Sequence, residues 1–120
     1  MTLTNALAGV AVRDIAAARD WYAKLFDRAP TTEPMQGLLE WSFSKGGWMQ
    51  VFEDKDNAGH SSVTLAESDL HARLRDLEKK GIRIGPTTEG DKVSTAIVTD
   101  PDGNRIVFAQ GKDAAHGSTG

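Results

Sequence analysis

The sequence contains no cysteine. Disulfides, iron–sulfur clusters, thiolate zinc sites and cysteine nucleophiles are therefore excluded. No apolar run approaches the ~20 residues of a membrane span. Residues 1–8 lack both the basic start and the apolar stretch of a signal peptide, so a cytoplasmic protein is expected. Clustered positive charge is missing too. Lys and Arg number 14 against 17 Asp and Glu, a formal net charge of −3. Nucleic acid and anionic membrane are thus not expected as partners, since both demand basic patches. A glycine-rich phosphate loop, a Ser-His-Asp set and an HExxH motif are also lacking.

What is present fits one globular domain. The 120 residues, 39% apolar and 26% charged, suffice for a core without covalent staples. Residues 5–12 form a short apolar run, read as a strand. Asp14 caps a helix over 15–26, where Ile15, Ala18, Tyr22, Leu25 and Phe26 recur on one stripe. Residues 38–44 and 48–52 read as strands joined at Gly46-Gly47, a two-residue hairpin signal. That loop pairs Trp41 with Phe52 and Phe43 with Gln50. It places Trp41, Phe43, Trp48, Gln50 and Phe52 on one face and turns Glu40 and Glu53 away.

Residues 53–59 form a polar loop between two halves. Residues 61–66 read as a strand. Ser68 is the expected cap of a helix over 69–80, with Leu70, Leu74 and Leu77 as its apolar stripe and Gly81 as its stop. Residues 82–84, 94–99 and 105–109 are further strand candidates. Asp100-Pro101-Asp102-Gly103-Asn104 is a turn, and residues 111–120 read as a frayed tail. The order β-α-β-β-β therefore occurs twice at an offset of 55 residues, with Asp14 mapping to Asp69 and Ile15 to Leu70. Module one covers about 5–53 and module two about 61–110.

Four segments in this order carry a resemblance. They are VAVRDIAAARDWYAKLF (10–26), GGWMQVFED (46–54), SVTLAESDLHARLRDLEKKGI (62–82) and DPDGNRIVFAQ (100–110). Together the chain resembles the vicinal-oxygen-chelate superfamily, the glyoxalase, bleomycin-resistance and extradiol-dioxygenase group. The resemblance implies an α+β fold of two βαβββ modules, whose curved sheets make a half-open barrel with helices on the convex side. It also implies a ligand on the concave side and a homodimer, for which Trp21 is a candidate contact.

Enzymes of this superfamily hold a divalent metal on four strands. The resemblance carries those positions to Leu7, Gln50, Ser62 and Val107. Leu7 and Val107 have no lone pair to offer, and a serine hydroxyl is a poor ligand. No metal or other cofactor is expected. His60 shares strand parity with Ser62 and reads as a loop histidine. His71 lies on the second helix and His116 in the tail.

The expected function is metal-free binding of a small organic molecule, aromatic or amphipathic, in a cavity lined by Trp and Phe. The candidate ligand-binding residues are Trp41, Phe43, Trp48, Gln50, Phe52, Leu7, Ser62, Thr64 and Val107. The alternative is a lyase, isomerase or dioxygenase working without metal or with shifted ligands.

Overall fold

The computed structural model describes residues 1–112. The contacts divide the chain into two units, Met1–Ser61 with Pro101–Asn104, and Ser62–Asp100 with the chain from Arg105 onward.

In unit 1, β1 (Leu7–Val12) leads into α1 (Ile15–Phe26), followed by β2 (Thr32–Met35), β3 (Leu38–Ser42) and β4 (Trp48–Glu53). The helix begins where its first amides find acceptors. Asp14 Oδ1 accepts from the N–H groups of Ala16 and Ala17, and Glu53 Oε1 accepts from that of Ile15 at 3.1 Å. A cap of this kind contributes about 1 kcal/mol. The helix ends at Asp27, a non-glycine residue in the left-handed region. Its buried stripe is Ala18, Tyr22 and Leu25, with Ile15 and Phe26 half-buried beside them.

The sheet of unit 1 runs β1-β4-β3-β2, with β1 parallel to β4 and the other pairs antiparallel. The hairpin between β3 and β4 is longer than the two-residue loop expected from Gly46-Gly47. Phe43 donates its N–H to the carbonyl of Gly47, and Gly46 donates back to Phe43, so residues 43–47 form the turn. Trp41 consequently pairs with Met49 instead of Phe52, and Glu40 with Gln50. An odd shift reverses the faces of a strand. Burial decides between the two registers. The observed one places Leu39, Trp41, Met49 and Val51 at zero exposure on the α1 side. Each such side chain contributes about 2–3 kcal/mol. The expected register would have buried the Glu40 carboxylate there, at a cost of several kcal/mol for a charge without a compensating partner.

The turn Pro101–Asn104 completes unit 1 by closing the outer edge of β1. Asn104 is fully buried. Its Nδ2 donates to the carbonyl of Ala11 at 2.8 Å, and its Oδ1 accepts from Ser61 N at 2.9 Å. Ser61 Oγ in turn accepts from Ala11 N. The edge groups of Ala11 are thereby satisfied by side chains, which blocks pairing with a foreign strand. Asp102 accepts from the backbone N–H and the guanidinium of Arg13.

Unit 2 contains β5 (Ser62–Ala66), α2 (Leu70–Lys79), β6 (Thr87–Glu89), β7 (Val93–Thr99) and β8 (Arg105–Gly111), in sheet order β5-β8-β7-β6. The cap of α2 is Asp69 and not the expected Ser68. Its carboxylate accepts from Ala72 N, and Gln110 Oε1 accepts from Leu70 N at 2.6 Å. Gln110 thus repeats in unit 2 the part that Glu53 plays in unit 1.

The expected strand at 82–84 is absent, and β6 lies at Thr87–Glu89. Ile82 instead completes the helix stop. Gly81 sits at φ 76° and donates to Glu78 O, while Ile82 N donates to Leu77 O. This is the Schellman pattern, and the nearly buried Ile82 supplies the apolar contact that accompanies it. Gly111, expected in the tail, belongs to β8, and residues 113–120 of that tail lie outside the described residues.

Candidate functional site

The register of unit 1 sorts its side chains into two sets. Toward α1 lie the apolar residues already named, together with Val10 and Val12, which share their pleat. On the opposite face lie Leu7, Gly9 and Ala11 of β1, Trp48, Gln50 and Phe52 of β4, and Leu38, Glu40 and Ser42 of β3.

Three residues of that second face form a polar centre. Gln50 Nε2 donates to Glu40 Oε2 at 2.8 Å across the β3–β4 pair, and Thr32 Oγ1 of β2 donates to Glu40 Oε1 at 2.9 Å. The carboxylate accepts only, so it fixes which end of the Gln50 amide faces it. Trp48, Phe52 and Leu38 flank this centre, all half-buried. The close approach of Phe52 to β1 depends on a missing side chain. A Cβ added at Gly9 would stand 3.3 Å from Phe52 Cε1.

Five of the expected ligand-binding residues come from the hairpin, and the structure separates them. Trp48, Gln50 and Phe52 share the face opposite α1. Trp41 and Phe43 do not. Trp41 is fully buried, its ring 6.1 Å from Tyr22 and 5.6 Å from Phe26, and its Nε1 donates to Arg28 O. Phe43 stands edge-on to Phe26 at 5.6 Å, under the Arg28 guanidinium. Both belong to the aromatic packing around α1. Glu40, which the expected hairpin turned away, is the partner of Gln50. Its place follows once Trp41 is assigned to the helix side.

Leu7 lies on the Gln50 face at the start of β1, 45% exposed. In unit 2, Ser62, Thr64 and Val107 occupy the face opposite α2, where Ser62 pairs with Arg105 and Thr64 with Val107. His60 and His71 are exposed. His116 lies outside the described residues.

At the four positions to which the resemblance carries the superfamily's metal ligands, the side chains present do not fit an ion. Leu7 and Val107 carry no donor, Ser62 offers a hydroxyl, and Gln50 offers a single neutral amide oxygen, its Nε2 being turned to Glu40. Among the described residues no three His, Asp or Glu side chains group as metal ligands. Nor is any helix there long and apolar enough to cross a membrane.

Comparison with known proteins agrees with this architecture. The chain matches the Glyoxalase/Bleomycin resistance protein/Dioxygenase superfamily over residues 5–108. Among solved structures it is similar to a glyoxalase/bleomycin resistance protein from Catenulispora acidiphila DSM 44928, with 32% identity and a TM-score of 0.82 over 90% of this chain and 98% of that one. A bleomycin-binding protein complexed with bleomycin shares 19% identity and a TM-score of 0.74 over 90% and 98% of the two chains. A bleomycin resistance determinant encoded on the transposon Tn5 shares 20% identity and a TM-score of 0.75 over 92% and 99%. No curated protein matches the sequence. With the family match spanning both βαβββ modules, the chain belongs to the glyoxalase/bleomycin resistance protein/dioxygenase superfamily.

Proposed function

We propose that this protein binds a small organic molecule on the unit 1 face formed by Trp48, Gln50, Phe52 and Leu7, and holds it without a metal and without changing its bonds. The observation that carries the reading is the Glu40–Gln50 pair set among half-buried Trp48, Phe52 and Leu38. Apolar surface around a few fixed polar groups is the usual composition of a site for a planar or amphipathic ligand. The reading draws support from a bleomycin-binding relative of the same fold. The absence of good metal ligands at Leu7, Gln50, Ser62 and Val107 supports the metal-free part of this reading. Protection against a toxic compound by sequestration is the corresponding role, exercised by a cytoplasmic homodimer. Within unit 2, Ser62, Thr64 and Val107 are proposed as ligand contacts on its own face opposite α2.

The test is a panel of aromatic and amphipathic compounds screened by thermal shift and calorimetry against the wild-type protein and Trp48→Ala. The reading expects at least one compound to bind, with affinity reduced about tenfold or more in the variant. It expects the compound to be recovered unaltered, and metal analysis to find no stoichiometric ion. Binding that ignores Trp48→Ala, or turnover of the bound compound, contradicts it. Light scattering is expected to give the mass of two chains, and a monomer at micromolar concentration contradicts the homodimer.

A further inference from the structure

The register that brings Glu40 to Gln50 also places one formal charge in the middle of an otherwise neutral surface. Along β1, β3 and β4 the other residues of that face are Leu7, Gly9, Ala11, Leu38, Ser42, Trp48, Gln50 and Phe52, so Glu40 is the sole ionisable side chain among these described positions. Arg28 is engaged with Thr31 Oγ1, the Ser42 carbonyl and the Phe43 ring. Arg19 is paired with Glu33.

Two neutral donors, Thr32 Oγ1 and Gln50 Nε2, hold the carboxylate in place, one on each oxygen. A carboxylate accepts about four hydrogen bonds, so roughly two lone-pair directions remain. Gln50 turns its Nε2 toward Glu40, which leaves its Oε1 as an additional acceptor. The centre of the face is therefore rich in acceptors, negatively charged and bordered by two aromatic rings. An anionic ligand laid over it, or a neutral one without a donor, would strip water from Glu40 and return nothing, and a neutral donor returns only part of it. A cationic group returns a charge-assisted hydrogen bond to Glu40 and attraction to the faces of Trp48 or Phe52.

We infer that the ligand of this face carries a protonated amine, amidine or guanidine next to a flat apolar body, and that Glu40 selects for that charge. The inference rests on the proposed binding role of the same face and adds the chemical class of the ligand. Glu40 acts as a specificity residue, positioned by Thr32 and Gln50.

The experiment uses three matched probes, 1-naphthylmethylamine, 1-naphthylmethanol and 1-naphthoate, titrated by calorimetry at neutral pH into the wild-type protein, Glu40→Gln and Trp48→Ala. The wild type is expected to bind the amine about tenfold or more tightly than the alcohol, and the carboxylate most weakly. Glu40→Gln brings the amine and alcohol to near equality, whereas Trp48→Ala weakens both. Added salt weakens the amine and leaves the alcohol unchanged in the wild type, a readout independent of any variant. If the alcohol equals the amine in the wild type and only Trp48→Ala matters, the charge preference is overturned and the site stands. If none of the probes binds, or binding ignores Trp48→Ala, the site itself is overturned and the charge preference with it.

Discussion

Gln50 donates to Glu40 across neighbouring strands at 2.8 Å, on the face turned away from α1. This contact exists because the hairpin spends residues 43–47 on its turn, which carries Trp41 into the core and Glu40 out of it. The site therefore depends on the packing of its reverse side as much as on its own residues.

Gly9 controls the shape of that face. It pairs with Gln50, and an added methyl would press on the Phe52 ring at 3.3 Å. Gly9→Ala is expected to change stability by less than about 1 kcal/mol, since the ring is half-buried and able to shift. Ligand affinity is expected to fall severalfold. Chemical denaturation and calorimetry on the same variant check both parts.

Asn104 is expected to be among the most sensitive polar positions. Its amide joins Ser61 N to Ala11 O, the first bond part-buried and the second buried. Asn104→Ala leaves a donor and an acceptor unsatisfied, with an expected loss of about 2–4 kcal/mol by urea denaturation. Asn104→Asp keeps the acceptor but places a carboxylate oxygen against a carbonyl, so it is expected to fail as a rescue.

The stop of α2 depends on Gly81. Its φ of 76° strains any residue with a Cβ, although no atom lies within 4 Å of the place a Cβ would occupy. Gly81→Ala is therefore expected to cost about 1 kcal/mol from backbone strain alone. Gly81→Asn, which tolerates the left-handed region better, is expected to cost less. Thermal unfolding of the two variants measures the order.

Two carboxylates link stability to pH. A hydrogen bond from the Lys112 ammonium, and then one from the Ser94 hydroxyl, hold Glu89 below the usual carboxylate range. The Lys80 ammonium does the same for Asp76. Because the folded-state values are lowered, each contribution is fully present above the unfolded-state carboxylate range. It fades as pH falls through the lowered values. Both pairs are solvent-exposed, so the effect is expected to be small and to shrink in salt. Melting temperature is expected to decline on acidification, and Glu89→Gln combined with Asp76→Asn is expected to flatten that limb.

The helices were legible because their signals are local. Asp14 and the stripe from Ala18 to Leu25 define α1, and Gly81 marks the end of α2. The second strand of each module was not legible. Thr32–Met35 contains Pro34 and is wholly exposed, and Thr87–Glu89 offers no apolar pattern. Their pairing comes from neighbouring strands, which local sequence does not display. Ile82 misled for a different reason, since an apolar residue after a helix serves a Schellman stop as readily as a strand.

The candidate site was half legible. Trp48, Gln50 and Phe52 alternate within one strand, and alternation fixes their common face. Trp41 and Phe43 lie on the far side of a turn whose length Gly46-Gly47 does not determine. The affinity of Trp41 for Tyr22 and Phe26 chose the register, and no local rule contains that long-range contact.

The most direct test of the central claim is the set of tryptophan indole N–H signals in a 1H–15N spectrum, recorded as 1-naphthylmethylamine is added. The sequence has three tryptophans, one on the proposed binding face and two packed around α1. The Trp48 signal is predicted to move to saturation while those of Trp21 and Trp41 hold still. A spectrum in which Trp48 stays fixed contradicts the account.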